Sequence, residues 1–124
     1  MPKKILVIDD DTNIAMLLKE FFSSEGYQTV TATDGYAGVA AAMREKPDLI
    51  ILDMQMPAGG GAGVFERLST NTFLNTTPVI FSTSLSKDVM DRMLPQNSMF
   101  HGYFQKPADL DALLKKIESI IGKP

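Results

Sequence analysis

Carboxylates, a hydroxyl group and an ammonium group stand in this sequence at or just after the ends of short apolar runs. The acidic stretch 9–11 follows the first run and Asp53 follows the second, while Thr83 and Lys106 follow two later ones. Carboxylate oxygens are the ligands that Mg²⁺ prefers, and a carboxylate can attack a phosphoryl group and carry it as an acyl phosphate. An ammonium and a hydroxyl group can neutralise the phosphoryl oxygens. These residue types therefore indicate phosphate chemistry.

Four apolar runs are predicted to position these groups, and each is flanked by residues typical of turns. They cover residues 5–8, 49–52, 79–81 and 103–104. Runs of this kind indicate strands that are buried on both faces, as in a parallel sheet covered by helices. The strand C-termini of such a sheet lie along one edge, and ligands bind in the crevice outside it. We therefore expect the carboxylates, the hydroxyl and the ammonium to meet at that edge.

Helical patterning fills the segments between the runs. We predict that Thr12 caps the first helix and that Gly26 ends it, and that a short strand follows over 29–32. A second helix should begin after Asp34 and end at Pro47. Its predicted buried residues are Val39, Ala40 and Met43.

Three further helices complete a β-α pattern that repeats five times. The third is indicated by Val64, Phe65 and Leu68, and the fourth is a short segment over 87–94. The fifth has the clearest helical periodicity in the chain. Its apolar residues are Leu110, Leu113, Leu114, Ile117, Ile120 and Ile121. The repeated order predicts an α/β fold with right-handed crossovers and helices on both faces of one sheet.

The composition is that of one ordinary globular domain over residues 1–124. Apolar residues make up 44% of the chain and charged residues 22%, both usual for such a domain. The 12 basic and 15 acidic residues give a net charge of -3, which indicates no direct binding of nucleic acid. Cysteine is absent, which excludes disulfides and thiolate metal sites. No secretory signal or membrane span is recognisable, so we expect a cytoplasmic protein.

Each of these chemical groups has a simpler interpretation when it is taken alone. The acidic stretch 9–11 could enrich the first turn of a helix, where acids are common. Lys106 could cover the sheet edge with its methylene stem, and Thr83 could cap a helix that begins near residues 84–86. The position of Asp53 at the end of a different buried strand, together with the other features, favours a shared phosphate and metal site.

Four motifs in this chain together resemble the receiver domain of two-component response regulators. They are I-L-V-I-D-D over 5–10, P-D-L-I-I-L-D-M-Q-M-P over 47–57, P-V-I-F-S-T-S over 78–84 and G-Y-F-Q-K-P over 102–107. The resemblance covers essentially all 124 residues. It implies a single-domain, flavodoxin-like (βα)5 fold, whose five-stranded parallel sheet has the order 2-1-3-4-5 with helices on both faces.

The resemblance also implies roles for the residues at the sheet edge. Asp53 is expected to accept a phosphoryl group from the phosphohistidine of a histidine kinase or a phosphotransfer protein, with Lys106 as the phosphate-binding lysine. Mg²⁺ is the implied cofactor, with Asp10 as a direct ligand and Asp9 acting mainly through water. Asp53 and the backbone carbonyl of Gln55 would complete its protein ligands.

A conformational switch is implied as well. Thr83 resembles the switch hydroxyl that moves towards the phosphoryl oxygens, and Tyr103 occupies the aromatic switch position and would turn inward after it. This movement reshapes the face made by the fourth helix, the fifth strand and the fifth helix. The implied partners of that face are a downstream protein or a fused effector domain, and it is also a candidate homodimer interface. The Lys106-Pro107 bond is expected to be cis.

Two other classes of function fit fewer of these residues. A Mg²⁺-dependent phosphatase with an aspartyl nucleophile normally needs an acid two residues after the nucleophile, where this chain has Gln55. A degenerate receiver that only binds proteins would not need the acceptor-site residues, all of which are present. We therefore expect a signalling domain rather than an enzyme, limited to self-catalysed phosphoryl transfer and slow autodephosphorylation. The loss of phosphate should be slow because the apolar Leu85 cannot orient an attacking water.

The segment 58–63 departs from the family pattern, because it holds four glycines where one is usual. It matches neither a dinucleotide-binding fingerprint nor a P-loop. We expect it to form a flexible loop beside the phosphorylation site.

Overall fold

The computed structural model describes residues 2–56 and 60–124, in which five strands alternate with five helices. The strands are β1 (Lys4–Ile8), β2 (Gln28–Ala32), β3 (Leu49–Asp53), β4 (Val79–Thr83) and β5 (Phe100–Gln105). The helices are α1 (Thr12–Ser24), α2 (Gly35–Glu45), α3 (Gly60–Ser69), α4 (Lys87–Asp91) and α5 (Leu110–Ile121). All neighbouring strands pair in parallel, in the order β2-β1-β3-β4-β5. The predicted fold and strand order are confirmed.

Strands β1, β3 and β4 form the buried centre of the sheet. Every residue of β3 and β4 is buried, and so are four of the five residues of β1. Their side chains alternate between two hydrophobic clusters, as Leu6 and Val7 of β1 show. The first cluster includes residues of α2, α3 and α4, and the second includes residues of α1 and α5. Burial on both faces holds the ends of these strands at one fixed edge.

β5 is an edge strand that is only partly covered. It pairs with β4 alone, its Tyr103 and Phe104 are half-buried, and His101 and Gln105 are exposed. The prediction that the run 103–104 is buried on both faces is therefore wrong. The physical reason is that, within residues 2–56 and 60–124, no further strand flanks β5, and α4, with five residues, is too short to cover the strand.

Asp11, rather than Thr12, caps α1. Its Oδ1 accepts hydrogen bonds from the backbone N–H groups of Asn13 and Ile14 at 3.0 and 3.2 Å, so the predicted cap is wrong by one position. A carboxylate satisfies these otherwise unpaired N–H groups and also interacts favourably with the helix dipole. Gly26 follows the helix end as predicted. Its φ of +102° is a conformation that glycine adopts without strain.

The buried face of α2 differs from the predicted one. Its buried residues are Gly38, Ala41 and Ala42. The prediction is wrong for Ala40 and Met43, which are exposed, whereas Val39 is half-buried and packs against the first cluster. The reason is the close approach of α2 to β1: a Cβ at Gly38 would lie 2.7 Å from Cδ1 of Ile8. Only small residues fit there, and small residues give a weak hydrophobic signal in a sequence.

Helix α4 ends at Asp91, earlier than the predicted limit at residue 94. Beyond Asp91 the chain continues as a turn, in which the N–H of Arg92 donates to the carbonyl oxygen of Val89 at 3.2 Å. Leu94 precedes Pro95, and the residue before a proline is sterically disfavoured in the helical conformation. The apolar periodicity therefore runs further than the helix.

Gly60 and Gly61 begin α3 and lie against the end of β3. Gly60 has a φ of +64°, and the N–H of Gly61 donates to the carbonyl oxygen of Met54 at 3.1 Å. Gly61 is buried, and a Cβ there would overlap the carbonyl oxygen of Asp53. The expectation of a flexible loop is therefore wrong from Gly60 onwards, where the chain is helical. Ala58 and Gly59 lie outside the described residues.

A methyl group added at Gly61 should destabilise the protein, whereas one added at Gly63 should stabilise it. We expect Gly61→Ala to lower the free energy of unfolding by about 2 kcal/mol, as at other overpacked sites, because the new Cβ meets backbone atoms of Asp53 and Met54. At Gly63 a Cβ has no neighbour within 4 Å. Gly63→Ala should therefore raise the free energy of unfolding by about 0.5–1 kcal/mol through helix propensity. Urea unfolding measures both, and equal effects would contradict the close packing at Gly61.

Candidate functional site

Two buried aspartates lie at the carboxyl edge of the sheet. Asp53 ends β3, and Asp9 directly follows the neighbouring β1; each residue is only 1% exposed. Asp10 lies beside them and is exposed. One carboxylate oxygen from each of the three lies within 4.8 Å of the others. The parallel register of β1 and β3 brings them together, as the strand pattern predicts.

The ammonium group of Lys106 lies close to both buried carboxylates. Its Nζ is 3.2 Å from Oδ2 of Asp9 and 3.2 Å from Oδ1 of Asp53, and its side chain is 19% exposed. The backbone N–H of Lys106 donates to the carbonyl oxygen of Thr83 at 2.7 Å, which joins the ends of β4 and β5. The Lys106-Pro107 bond is cis, as predicted. The lysine therefore faces the acids and does not simply cover the sheet edge.

The pKa values of Asp53 and Lys106 are shifted by burial and by the neighbouring charges. Burial raises the pKa of Asp53 from 3.8 to about 6, and the charge of Asp9 adds to the rise. The N–H of Gln55 and the ammonium of Lys106 act in the opposite direction. Burial alone would lower the pKa of Lys106, but the charges of Asp9 and Asp53 outweigh burial and raise that pKa. The lysine therefore stays charged beside an acid that resists ionisation.

The carboxylate oxygens of this cluster fit a metal ion. Oδ1 of Asp9 accepts from the N–H of Asp11 at 2.9 Å, and Oδ1 of Asp53 accepts from the N–H of Gln55 at 3.0 Å. Within the described chain, Oδ2 of Asp53 has no hydrogen-bond donor, and the one cation near Oδ2 of Asp9 is the ammonium of Lys106 at 3.2 Å. An unpaired buried oxygen is unfavourable, and three carboxylates outnumber the one ammonium. Oxygen ligands of this kind suit a hard divalent cation such as Mg²⁺.

Thr83 lies fully buried at the end of β4. Its Oγ1 accepts hydrogen bonds from Nε2 of Gln55 and from the N–H of Leu85, both at 3.0 Å. The alternative that Thr83 caps α4 is wrong, because Ser86 accepts the capping hydrogen bond from the N–H of Val89 at 3.3 Å. The structure thus places Thr83 one strand away from Asp53. It shows no hydrogen bond between the two among residues 2–56 and 60–124.

The side chain of Gln55 is a contact that sequence reasoning missed. The sequence pointed to its backbone carbonyl as a metal ligand, and to its side chain only as the residue that replaces the acid of a phosphatase. Its amide nitrogen reaches Thr83, and its Oε1 accepts from the N–H of Ser84 at 2.9 Å. No spacing in the sequence signals this contact, because it depends on how the chain turns after β3.

Tyr103 is joined to α4 rather than to the acidic cluster. Its hydroxyl donates to Oδ1 of Asp91 at 2.8 Å, and Nζ of Lys87 lies 2.6 Å from Oδ2 of the same carboxylate. The hydrogen bond from Lys87, followed by that from Tyr103, lowers the pKa of Asp91. The hydrogen bond to Asp91 raises the pKa of Tyr103. The half-buried tyrosine therefore belongs to the face made by α4, β5 and α5, which we call the output face.

The raised pKa of Asp53 predicts a pH dependence of stability in the metal-free protein. The unfolded chain loses this proton near pH 3.8 and the folded chain near pH 6, so the folded state binds more protons between these values. The stabilisation by Asp53 is therefore complete below about pH 4 and is lost as the pH rises through about 6. Urea unfolding in EDTA from pH 4 to pH 8 measures it. Asp53→Asn is the control, and its stability relative to the wild type should rise with pH; a constant difference would contradict the shift.

Comparison with known proteins identifies the family. The model of the response regulator receiver domain matches residues 5–118, which is most of the chain. This chain therefore belongs to that family and is a receiver domain of two-component response regulators. The resemblance found in the four sequence motifs is confirmed.

Individual relatives support the assignment. Sporulation initiation phosphotransferase F of Bacillus subtilis is 31% identical over 121 residues, which cover 98% of this chain and 95% of that protein. Transcriptional regulatory protein YxdJ of Bacillus subtilis is 34% identical over 118 residues, which cover 95% of this chain and 50% of that protein. The chain thus spans about half the length of YxdJ. Among solved structures, chemotaxis protein CheY4 of Vibrio cholerae has the same fold, with a TM-score of 0.87 at 24% identity over 97% of this chain and 99% of that chain.

The family gives a coarse description of the site and its partners. Receiver domains bind Mg²⁺ through an acidic pocket, and this chain has an aspartate cluster at the sheet edge. They are signalling domains rather than conventional enzymes, and they interact with kinases or phosphotransfer proteins and with effectors. Among the helices of residues 2–56 and 60–124, none has the length and apolar character needed to cross a membrane.

Proposed function

We propose that Asp53 accepts a phosphoryl group from the phosphohistidine of a histidine kinase or a phosphotransfer protein. The observation that carries the proposal is the position of the Lys106 ammonium, 3.2 Å from an oxygen of Asp53 and 3.2 Å from one of Asp9. This arrangement holds a cation where a phosphoryl group on Asp53 would otherwise meet only negative charge. Because this positive charge is already in place, it can stabilise the negative charge on the transferred phosphoryl group without any rearrangement of the protein during the reaction.

In the proposed transfer, a carboxylate oxygen of Asp53 forms a bond to phosphorus while the phosphorus–nitrogen bond of the phosphohistidine breaks. The imidazole nitrogen leaves with the electron pair of that bond and takes up a proton from solvent. The product on this chain is an acyl phosphate. Lys106 neutralises part of the charge on the transferred oxygens, and the protein contributes mainly position and charge rather than acid-base chemistry.

We assign the Mg²⁺ site to Asp9, Asp10, Asp53 and the backbone carbonyl of Gln55. The unpaired Oδ2 of Asp53 and the excess of three carboxylates over one ammonium support the assignment. Asp10 is proposed to bind directly, because it is exposed beside the cluster. Asp9 is proposed to act mainly through water, because its oxygens already contact Lys106 and the N–H of Asp11. A bound divalent cation supplies additional positive charge for the phosphoryl oxygens.

Thr83 and Tyr103 are proposed to carry the signal to the output face. Thr83 would move towards the phosphoryl oxygens. Tyr103 would then leave Asp91 and turn inward into the space that Thr83 vacates. The position of Tyr103 on β5, between the acceptor edge and α4, supports this path. The reshaped surface would bind a downstream protein or a fused effector domain, or a second copy of the chain, and would not contact nucleic acid directly.

The other functional classes receive less support from the site. At the position where an aspartyl phosphatase needs an acid, the amide of Gln55 is bonded to Thr83 and Ser84. A degenerate binding module does not require the Lys106 contacts with two acids. The single-domain extent over residues 1–124, slow autodephosphorylation and the cytoplasmic location stay predictions.

Intact-mass measurement after incubation with acetyl phosphate tests the proposal. We expect the mass to rise by one phosphoryl group per chain when Mg²⁺ is present, and to stay unchanged when EDTA removes the metal. The reason is that the acids tolerate a further anionic group only when a cation offsets their charge. An unchanged mass with Mg²⁺ would contradict the proposal. Release of many equivalents of phosphate per chain from a phosphomonoester would instead support the phosphatase.

A further inference from the structure

The side-chain amide of Gln55 connects the loop after β3 with the loop after β4. Its Nε2 donates to Oγ1 of Thr83 at 3.0 Å, and its Oε1 accepts from the N–H of Ser84 at 2.9 Å and from the Ser84 hydroxyl at 3.2 Å. The backbone N–H of the same residue donates to Oδ1 of Asp53 at 3.0 Å. One residue therefore contacts both the proposed acceptor and the proposed switch hydroxyl.

These contacts restrain Thr83 in its present position. Its hydroxyl oxygen has two lone pairs, and both are used, by the Gln55 amide and by the N–H of Leu85. The side chain is fully buried, so water cannot readily replace a lost donor. Any movement of Thr83 away from Gln55 must therefore break the hydrogen bond from Nε2 of Gln55, and the loss of that bond at a buried oxygen is unfavourable.

We propose that Gln55 is a positioning residue that holds Thr83 in the resting conformation and so sets the balance between the resting and the phosphorylated conformations. The inference rests on the proposed function, because it takes Thr83 as the switch hydroxyl. A side chain that binds one of two conformations better shifts the equilibrium by its differential interaction free energy. Loss of the Gln55 amide should therefore favour the phosphorylated conformation.

Gln55→Met tests this, with Gln105→Met as the matched control. Methionine keeps an unbranched side chain of similar length and the backbone contacts, but it removes the amide. Gln105 has the same side chain, and its Nε2 donates to the carbonyl oxygen of Leu85 at 2.8 Å. Its backbone pairs with Thr83 in the sheet, but its amide is not one of the two donors to the Thr83 hydroxyl. The probe is beryllofluoride, a phosphoryl analogue, titrated at saturating Mg²⁺. Backbone amide NMR signals of residues 117–121, in the second half of α5, report the conformation, because Gln105 lies close to Ala112 and Lys116 in the first half.

We expect the beryllofluoride titration and the α5 signals to change in Gln55→Met but not in Gln105→Met. Of the three lost hydrogen bonds, those with the Thr83 hydroxyl and the Ser84 N–H, each worth a net factor of about two to ten, should lower the half-saturating beryllofluoride concentration by about fivefold or more. The resting signals of α5 should already lie part of the way towards their beryllofluoride positions. In Gln105→Met both quantities should stay close to the wild type. Gln55→Ala, which removes the same bonds with a smaller side chain, should shift in the same direction.

Two results would overturn the inference, and they are distinguishable. If the wild type responds to beryllofluoride but Gln55→Met and Gln55→Ala behave like Gln105→Met, the amide has no positioning role and the proposed function stands. If the wild type itself shows no response, the proposed function fails and the inference fails with it. A change in unfolding free energy without movement of the α5 signals would show a purely structural role, and would also overturn it.

Discussion

Asp53→Asn should abolish the uptake of a phosphoryl group from acetyl phosphate in the presence of Mg²⁺. The carboxamide is neutral and lacks the nucleophilic oxygen pair that forms an acyl phosphate. The substitution also removes one charge from a buried site in which three carboxylates lie near one ammonium. The variant should therefore fold and, without metal, be at least as stable as the wild type at pH 7. Intact-mass spectrometry should show no gain in the variant.

Asp11→Asn is the matched control for this prediction. Asp11 belongs to the same acidic stretch as Asp9, but it caps α1 through its Oδ1. Asparagine caps helices about as well as aspartate, so the variant loses a nearby acid and keeps the helix end. Its phosphoryl uptake should stay close to that of the wild type. Uptake that survives in Asp53→Asn, or that is lost equally in both variants, would contradict the assignment of Asp53.

Lys106→Met should lower the free energy of unfolding and slow phosphoryl transfer. Removing one partner of a fully buried ion pair costs about 3–5 kcal/mol. The Lys106 side chain is 19% exposed, so we expect a smaller loss in the free energy of unfolding at pH 7, about 1–3 kcal/mol. The rate of phosphoryl uptake should fall roughly tenfold to a hundredfold, because a fixed positive charge opposite the phosphoryl oxygens is lost. Urea unfolding and the time course of the intact mass measure the two effects.

Lys4→Met is the control for the loss of an ammonium group elsewhere. Nζ of Lys4 lies 3.1 Å from Oε1 of Glu45, and about a quarter of each side chain is exposed. Such pairs contribute about 0–1 kcal/mol, so this variant should lose little stability and no phosphoryl uptake. Adding Asp53→Asn to Lys106→Met should restore much of the stability, since only one of the two buried carboxylates then lacks a cation. Equal losses in Lys106→Met and Lys4→Met would contradict the proposed role of Lys106.

The positions of Asp53, Asp9 and Lys106 were predictable because they follow from strand ends. Apolar runs identify buried parallel strands, and the geometry of such a sheet carries their C-terminal residues to one edge. No side-chain detail is needed for that conclusion. The same reasoning placed Thr83 at the edge, and the family resemblance supplied the strand order.

The details that the sequence did not reveal depend on local packing. The buried face of α2 rests on small residues such as Gly38, which a hydrophobic pattern does not register. The cap of α1 depends on which of two adjacent polar side chains turns back to the helix, and Asp11 does. The glycines at 60 and 61 resembled a loop, but they allow α3 to begin directly against the backbone of β3.

The Gln55 amide shows the same limit at the site itself. Its hydrogen bonds reach Thr83, 28 residues further along the chain, and Ser84, 29 residues further. These residues are brought close together by the parallel pairing of β3 with β4, in which Asp53 lies opposite Ser82. A residue type that is common on protein surfaces gives no sign of such a contact.

The location of the phosphoryl group on the unaltered chain tests the central claim most directly. After incubation with acetyl phosphate and Mg²⁺, peptide mass spectrometry identifies the modified residue. We expect a single phosphoryl group on Asp53, held as an acyl phosphate. A phosphoryl group on Asp9, on Asp10 or on His101 instead, or none at all, would contradict the claim that the Asp53 carboxylate beside Lys106 is the acceptor.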